Sequence, residues 1–316
     1  MTDKDILFWS IFGVIVFGML VLDLGIFHRR AREIKVKEAL GWSALWIILA
    51  LLFNLGIYFV YGPLKALNFL TGYIVEKSLS VDNIFVFLLI FSYFRIPPVY
   101  QHKILFWGIF GALVIRALFI AVGLSLIEHF HWIMYGFGIF LVAVSIKFAF
   151  EKDKEIHPEH NFFLKIFKRF MPVVDHDSGG KFFVRHEGKK FATTLFVALL
   201  VVEITDIIFA VDSIPAVLAI TVDPLVVYTS NVFAILGLRA LYFALAGMME
   251  MFYYLHYGLA LILAFIGAKM LLEDVYKIPT AMVLAMIAAV LLISAAASLI
   301  RLRLLKFSLT KKSFLR

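Results

Sequence analysis

About nine stretches of this chain are each long and apolar enough to cross a lipid bilayer: 6–27, 41–61, 67–94, 104–127, 131–150, 191–220, 228–249, 254–272 and 280–300. A spanning helix needs roughly 20 mostly apolar residues, and nothing else constrains the fold as strongly. Of the 316 residues 63% are hydrophobic and only 16% charged, and the mean hydropathy of +0.97 lies far outside the range of water-soluble domains. Most of the chain must therefore have lipid as its solvent. In lipid a backbone has to satisfy its own hydrogen bonds, which helices do within a single segment. The expected fold is all-α, a polytopic membrane helix bundle.

The first run could be mistaken for a signal peptide, but residues 1–5 form no basic leader and no small-residue cleavage site follows. It reads as an uncleaved span. The net charge of +8 is concentrated after span one (His28, Arg29, Arg30, Arg32, Lys35, Lys37) and after span nine (Arg301, Arg303, Lys306, Lys311, Lys312). Lys and Arg collect on the cytoplasmic side of short loops. An odd number of spans with both clusters inside puts the N-terminus outside and the C-terminus in the cytoplasm. The basic balance is thus membrane topology and gives no support to nucleic-acid binding. The sequence identifies no protein partner. Cysteine is absent, which removes disulfides, thiolate metal sites and Cys-based redox relays.

A polar segment at 151–190 divides the chain. It contains His157-Pro-Glu159-His160 and reads as a solvated cytoplasmic linker without a site. An internal repeat lies on either side of it. Glu76-Lys-Ser-Leu-Ser-Val-Asp82-Asn83-Ile84 in span three matches Asp206-Ile-Ile-Phe-Ala-Val-Asp212-Ser213-Ile214 in span six. Phe110 to Arg116 matches Phe233 to Arg239, and Tyr135-Gly136 stands before Lys147 as Tyr257-Gly258 stands before Lys269. Each repeat has three spans, so the second copy enters the membrane from the opposite side. Two inverted three-helix repeats, 67–150 and 191–272, are expected. Residues 1–66 supply peripheral spans one and two, and 273–316 supply span nine and a basic tail. Inverted repeats recur in secondary transporters, with substrate bound near the midplane.

Glu76, Asp82, Glu203, Asp206 and Asp212 lie within spans three and six, and each intramembrane acid costs roughly 2.5–3.5 kcal/mol on insertion scales. Compensation must come from a cation, from protons, or from Lys77, Arg116 and Arg239. Residues six apart on an unbroken helix point about 120° away from each other, so Asp206 and Asp212 would not converge. Pro215 could unwind span six around Val211 to Pro215, and spans three and six, the longest in the chain, leave room for a non-helical stretch. The acids, with Asn83 and Ser213, make an oxygen-rich donor set suited to Mg²⁺, Ca²⁺ or Mn²⁺. The competing reading has Arg116 and Arg239 pairing with the acids in static bridges. Lys147 and Lys269 are expected to snorkel, Asp23 to reach the headgroups, and Asn54, Asn68 and Asn231 to make interhelical hydrogen bonds.

At these residues the chain resembles the TerC family of integral membrane proteins, in its Alx-like branch. The resemblance is carried by the span-three motif, Phe182-Phe-Val-Arg185, Glu203-Ile-Thr-Asp206-Ile-Ile-Phe-Ala-Val-Asp212-Ser213-Ile-Pro-Ala, and Thr229-Ser230-Asn231 through Arg239-Ala-Leu-Tyr. It implies a bacterial inner-membrane protein linked to manganese export, with Glu76, Asp82, Glu203, Asp206 and Asp212 carried over as the metal residues. An Alx-like member has also been described as a redox modulator, a role that a chain without Cys cannot fill with thiols.

The function expected is therefore alternating-access export of a divalent cation, Mn²⁺ foremost, exchanged for protons on the same carboxylates. No catalytic cofactor and no enzymatic activity are expected. The alternatives are a membrane scaffold, assembly or redox-modulating factor held by acid–base bridges, and an intramembrane aspartyl protease. The protease reading lacks the Gly-x-Gly-Asp setting around an aspartate.

Overall fold

The computed structural model describes residues 3–27, 36–130, 132–150, 173–174, 179–186, 189–245 and 254–314. His157, Glu159, His160 and most of the basic cluster after the first span lie outside the described residues, as do the side chains of Asp23, Arg303, Lys306, Lys311 and Lys312.

The helices are α1 (Asp3–Phe27), α2 (Val36–Tyr61), α3 (Pro63–Tyr93), α4 (Pro98–His129), α5 (Ile133–Phe150), α6 (Thr194–Leu218), α7 (Pro224–Leu236), α8 (Leu238–Leu245), α9 (Leu255–Leu272) and α10 (Thr280–Phe314). Among the described residues, seven helical segments are long and apolar enough to cross a membrane: α1, α2, α4, α6, α7 with α8, α9 and α10. Helix α3 falls outside that set because it carries Lys65, Glu76, Lys77 and Asp82 on 31 residues, and α5 because its apolar stretch is only Ile133–Lys147. Both occupy apolar runs of the sequence, and the protein is an all-α polytopic membrane bundle.

Burial grades the helices by depth in the bundle. In α7–α8 89% of the most apolar stretch is covered, against 17% in α1 and 22% in α10. The outer helices present Phe17, Phe59, Leu292 and Ile300 to the surroundings, where a water-soluble protein would place charge. Around α7–α8 the packing is reciprocal. Helix α3 packs on α6 and α7, α4 packs on α6 and α7, and α5 packs on α9. This set of contacts is unchanged when α3, α4 and α5 are exchanged for α6, α7 and α9, the matching spans of the sequence repeat. Helices α1, α2 and α10 lie against this inner group.

The α5–α9 pair approaches most closely at glycine. A Cβ on Gly267 would stand 2.8 Å from the Gly138 carbonyl oxygen and 3.0 Å from the Val142 nitrogen. These are backbone atoms that cannot swing aside, as expected where small residues set helix separation in lipid. Gly267→Ala should therefore destabilise the bundle by about 1–3 kcal/mol, read as a lowered unfolding midpoint in detergent. An unchanged midpoint would mean that the two helices separate freely.

The 151–190 segment holds more than a solvated linker. A three-stranded sheet, β1 (Val173–Val174), β2 (Phe183–His186) and β3 (Lys189–Thr193), has the order β1-β3-β2, with β1 parallel and β2 antiparallel to β3. Val184 faces Phe191 in register, and β3 runs directly into α6. The segment also docks on α4. Lys103 Nζ donates to the Gly180 carbonyl at 2.7 Å and lies 4.5 Å from the centre of the Phe182 ring. Strands of two to five residues with no polar alternation left no signal in the sequence, and their stability comes from docking.

Candidate functional site

Five buried polar side chains from four helices meet at the centre of the bundle. Arg116 of α4 is 1% exposed, with Glu76 of α3 and Asn231 of α7 at 0%. Asp206 and Ser213 of α6 are also buried. Arg116 Nη1 donates to Glu76 Oε1, to Ser213 Oγ at 3.1 Å and to Asn231 Oδ1 at 3.2 Å. The Asn231 amide completes the clamp by donating to Glu76 Oε2 at 3.0 Å. Both oxygens of Glu76 are thus satisfied, the condition under which a buried carboxylate is tolerated. Arg116 Nε stands 3.7 Å from Asp206 Oδ2, and neither atom makes a hydrogen bond.

Two small cavities adjoin the partners of this arginine, each of about 10 Å³, room for one water or one bare ion. The first is lined by Glu76, Asp82 and Asn83 of α3 and by Asp212 and Ser213 of α6. The spacing explains the grouping, because residues three, four or seven apart share a helical face. Glu76 and Asn83 are seven apart, and Phe209, Asp212 and Ser213 make the facing stripe on α6. The second cavity is lined by Asp206 of α6 and Arg239 of α8 among apolar groups such as Val202 and Ala112.

The seven candidate metal residues therefore do not share one space. Glu76, Asp82, Asn83, Asp212 and Ser213 line the first cavity, Asp206 lines the second, and Glu203 lies against the Gly111 backbone of α4 with a buried Oε2 that accepts no hydrogen bond. Among the described residues no group of three or more His, Cys, Asp or Glu stands close enough to hold a metal. Asp82 and Asp212, one from each repeat, form the acidic pair of the first cavity.

Span six is not broken as expected near Val211. Helix α6 runs unbroken from Thr194 to Leu218 with Pro215 inside it. One missing N–H removes one hydrogen bond, and packing on neighbouring helices offsets that loss. Span six is also shorter than α3 and α4, so length gave no room for an unwound stretch. The discontinuity lies in span seven, where Gly237 separates α7 from α8. Lys77 explains why it is tolerated there. Its Nζ donates to the Ala234 carbonyl at 3.1 Å, placing a cation on the negative end of α7. A Cβ on Gly237 would strike that ammonium and crowd Trp46.

Lys269 does not snorkel. It is buried and donates to the Ala219 carbonyl at the end of α6 and to Glu273 at 3.3 Å. Its counterpart Lys147 is exposed, as expected of a residue reaching the interface. Among the asparagines, Asn231 does bond across helices, whereas Asn54 and Asn68 each bury an Oδ1 without a partner. The capping role of Lys269 escaped sequence reasoning because a lone Lys near a span end reads first as snorkelling, and that of Lys77 because a Lys beside Glu76 reads first as compensation for the acids. The Gly237 break did carry a signal, a glycine between Asn231 and Arg239 in a polar-marked span.

The model for the integral membrane protein TerC family matches residues 61–306, which include every residue of both cavities. The chain is 50% identical over 295 residues to "Uncharacterized membrane protein STKORF319" of Myxococcus xanthus, covering 93% of this chain and 92% of that one. It is 45% identical over 297 residues to "Putative membrane-bound redox modulator Alx" of Salmonella typhi, covering 91% and 92%. It is 41% identical over 293 residues to "Uncharacterized membrane protein" of Rickettsia bellii, covering 93% and 97%. No solved structure matches it.

Proposed function

The chain belongs to the TerC family of integral membrane proteins, and on that footing we propose that it carries a divalent cation, Mn²⁺ foremost, out across a bacterial inner membrane. One observation carries the reading: Asp82 and Asp212, one from each sequence repeat, line a cavity the size of a single ion together with the Asn83 amide and the Ser213 hydroxyl. Two carboxylates neutralise one divalent charge, and all four groups offer hard oxygen donors, the chemistry of Mn²⁺, Mg²⁺ and Ca²⁺ sites. The preference for Mn²⁺ and the outward direction rest on the family resemblance. No resident cofactor and no catalysed reaction enter this reading.

In it, residues 67–150 and 191–272 are oppositely oriented repeats that rock about the cavity, with the N-terminus outside and the C-terminus in the cytoplasm. Moving a divalent cation outward against an inside-negative potential costs about 4.6 kcal/mol per 100 mV, so the proposal couples export to protons entering on the same acids. The relatives named as redox modulators point elsewhere, but a chain with no Cys has no thiol couple with which to do so. A second reading draws on the Arg116 clamp, which by itself would serve a scaffold held by acid–base bridges.

The deciding measurement is flux of Mn²⁺ in proteoliposomes that hold the purified full chain. Uptake or release above that of empty vesicles, rising with an imposed pH gradient, is expected. Flux equal to that of empty vesicles at every gradient would discard transport in favour of the scaffold.

A further inference from the structure

Resting on the cation-transport reading, we propose that Arg116 is a tethered counter-ion that the arriving cation must displace. Its guanidinium holds Glu76 as the structure shows, and passes to Asp206 when a divalent cation draws Glu76 in as a third carboxylate.

Four observations lead there. Arg116 touches acids that line different cavities, Glu76 in the first and Asp206 in the second. Those acids occupy matching positions in the two sequence repeats, so the arginine bridges equivalent carboxylates from the two halves. The two contacts are unequal: Glu76 is bonded directly, whereas Asp206 Oδ2 stands 3.7 Å from Nε with both atoms buried and lacking a hydrogen bond. An Nε–Oδ2 pair at that separation needs to close by only about 1 Å to become a charge-assisted hydrogen bond. Finally, Ser213 accepts from Arg116 at 3.1 Å while lining the first cavity, so the guanidinium is bonded to two groups, Glu76 and Ser213, that border the space that the cation would enter.

The charges explain the use of such a device. Glu76, Asp82 and Asp212 do not stand close enough to form one metal site as the structure has them. With Glu76 drawn away from Arg116, the three would hold a divalent cation with a net charge of −1, tightly enough to slow its release. An arginine competing for Glu76 compensates that carboxylate when no cation is bound and weakens the site's grip when one is, and carriers need binding that is reversible. After displacement, Arg116 and Asp206 form a neutral pair.

The test measures Mn²⁺ binding, with MnCl₂ as titrant, by calorimetry on the full chain in detergent. Arg116→Gln removes the competitor and is expected to tighten binding by about fivefold or more, within the range of coupling between interacting sites, while slowing Mn²⁺ release from proteoliposomes. Asp206→Asn removes the alternative seat, keeps Arg116 on Glu76, and is expected to weaken binding about fivefold, although Asp206 does not line the binding cavity. A purely structural arginine predicts no change in Asp206→Asn, and that result overturns the proposal even if Arg116→Gln fails to fold. Unchanged or weaker binding in a folded Arg116→Gln protein also overturns it. If the unmodified chain binds no Mn²⁺, the cation reading itself falls. Binding by the unmodified chain with both variants unaltered removes only the counter-ion role.

Discussion

Replacing Asp82 or Asp212 by Asn is expected to abolish measurable Mn²⁺ binding while leaving the fold intact. Each side chain supplies one of the two charges that would neutralise a divalent ion in the first cavity. Losing one removes a unit negative charge from a position a few ångströms from the ion. Even at an effective dielectric of 20, a pair of unit charges 4 Å apart interacts by about 4 kcal/mol, so a loss of affinity of at least about 100-fold follows. Asparagine is nearly isosteric with aspartate and keeps the polar lining, so the unfolding midpoint in detergent should move little. The scaffold reading predicts the reverse, with lowered stability or abundance and no binding to lose. Calorimetry and thermal unfolding on the same preparations separate the two, and unchanged Mn²⁺ affinity in both variants would remove Asp82 and Asp212 from the site.

Glu76→Ala should have the largest effect on stability. Arg116 is 1% exposed and Glu76 0%, and removing one partner of a buried ion pair costs about 3–5 kcal/mol because the other charge is stranded. Asn231 would lose its acceptor in the same step, leaving an amide donor unsatisfied. Asp206, at 3.7 Å from Nε, can recover only part of the loss. The double variant Glu76→Ala with Arg116→Met removes both charges and should regain stability relative to Glu76→Ala alone, since apolar replacement of a complete buried pair is often neutral. A Glu76→Ala protein as stable as the unmodified one would show that Asp206 suffices to hold Arg116. The two predictions divide the acids by role: Asp82 and Asp212 answer in binding, Glu76 first in stability.

Much of this was legible before any coordinates. The helices follow the apolar runs within a few residues, with α2 at Val36–Tyr61 against 41–61 and α9 at Leu255–Leu272 against 254–272. The buried state of Glu76, Asp82, Asp206 and Arg116 followed from their positions inside those runs. Helix continuity was misjudged at both places where it mattered. Pro215 looked like a break and is absorbed within α6. Gly237 looked ordinary and separates α7 from α8, with Lys77 on the carbonyl of Ala234. Whether a backbone group can go without its helical partner depends on what a neighbouring helix offers it, and local sequence does not state that. The strands β1 to β3 were missed because a few residues each, stabilised by Lys103 and Tyr100 of α4, leave no periodic signature.

The sequence alone determined that this chain lives in lipid, that it is helical, that its inner spans repeat, and that five acids must find compensation inside the membrane. Those are properties of single segments, set by hydropathy, by the backbone's need to satisfy itself and by the cost of burying charge. Only the tertiary structure decided which acid meets which base. Asp206 and Asp212 lie on one unbroken helix, yet one sits beside Arg116 and Arg239 and the other opposite Asp82. That assignment depends on the rotation and depth of four helices relative to one another. Those are fixed by glycines, aromatic packing and capping lysines through contacts between helices, which no single segment states.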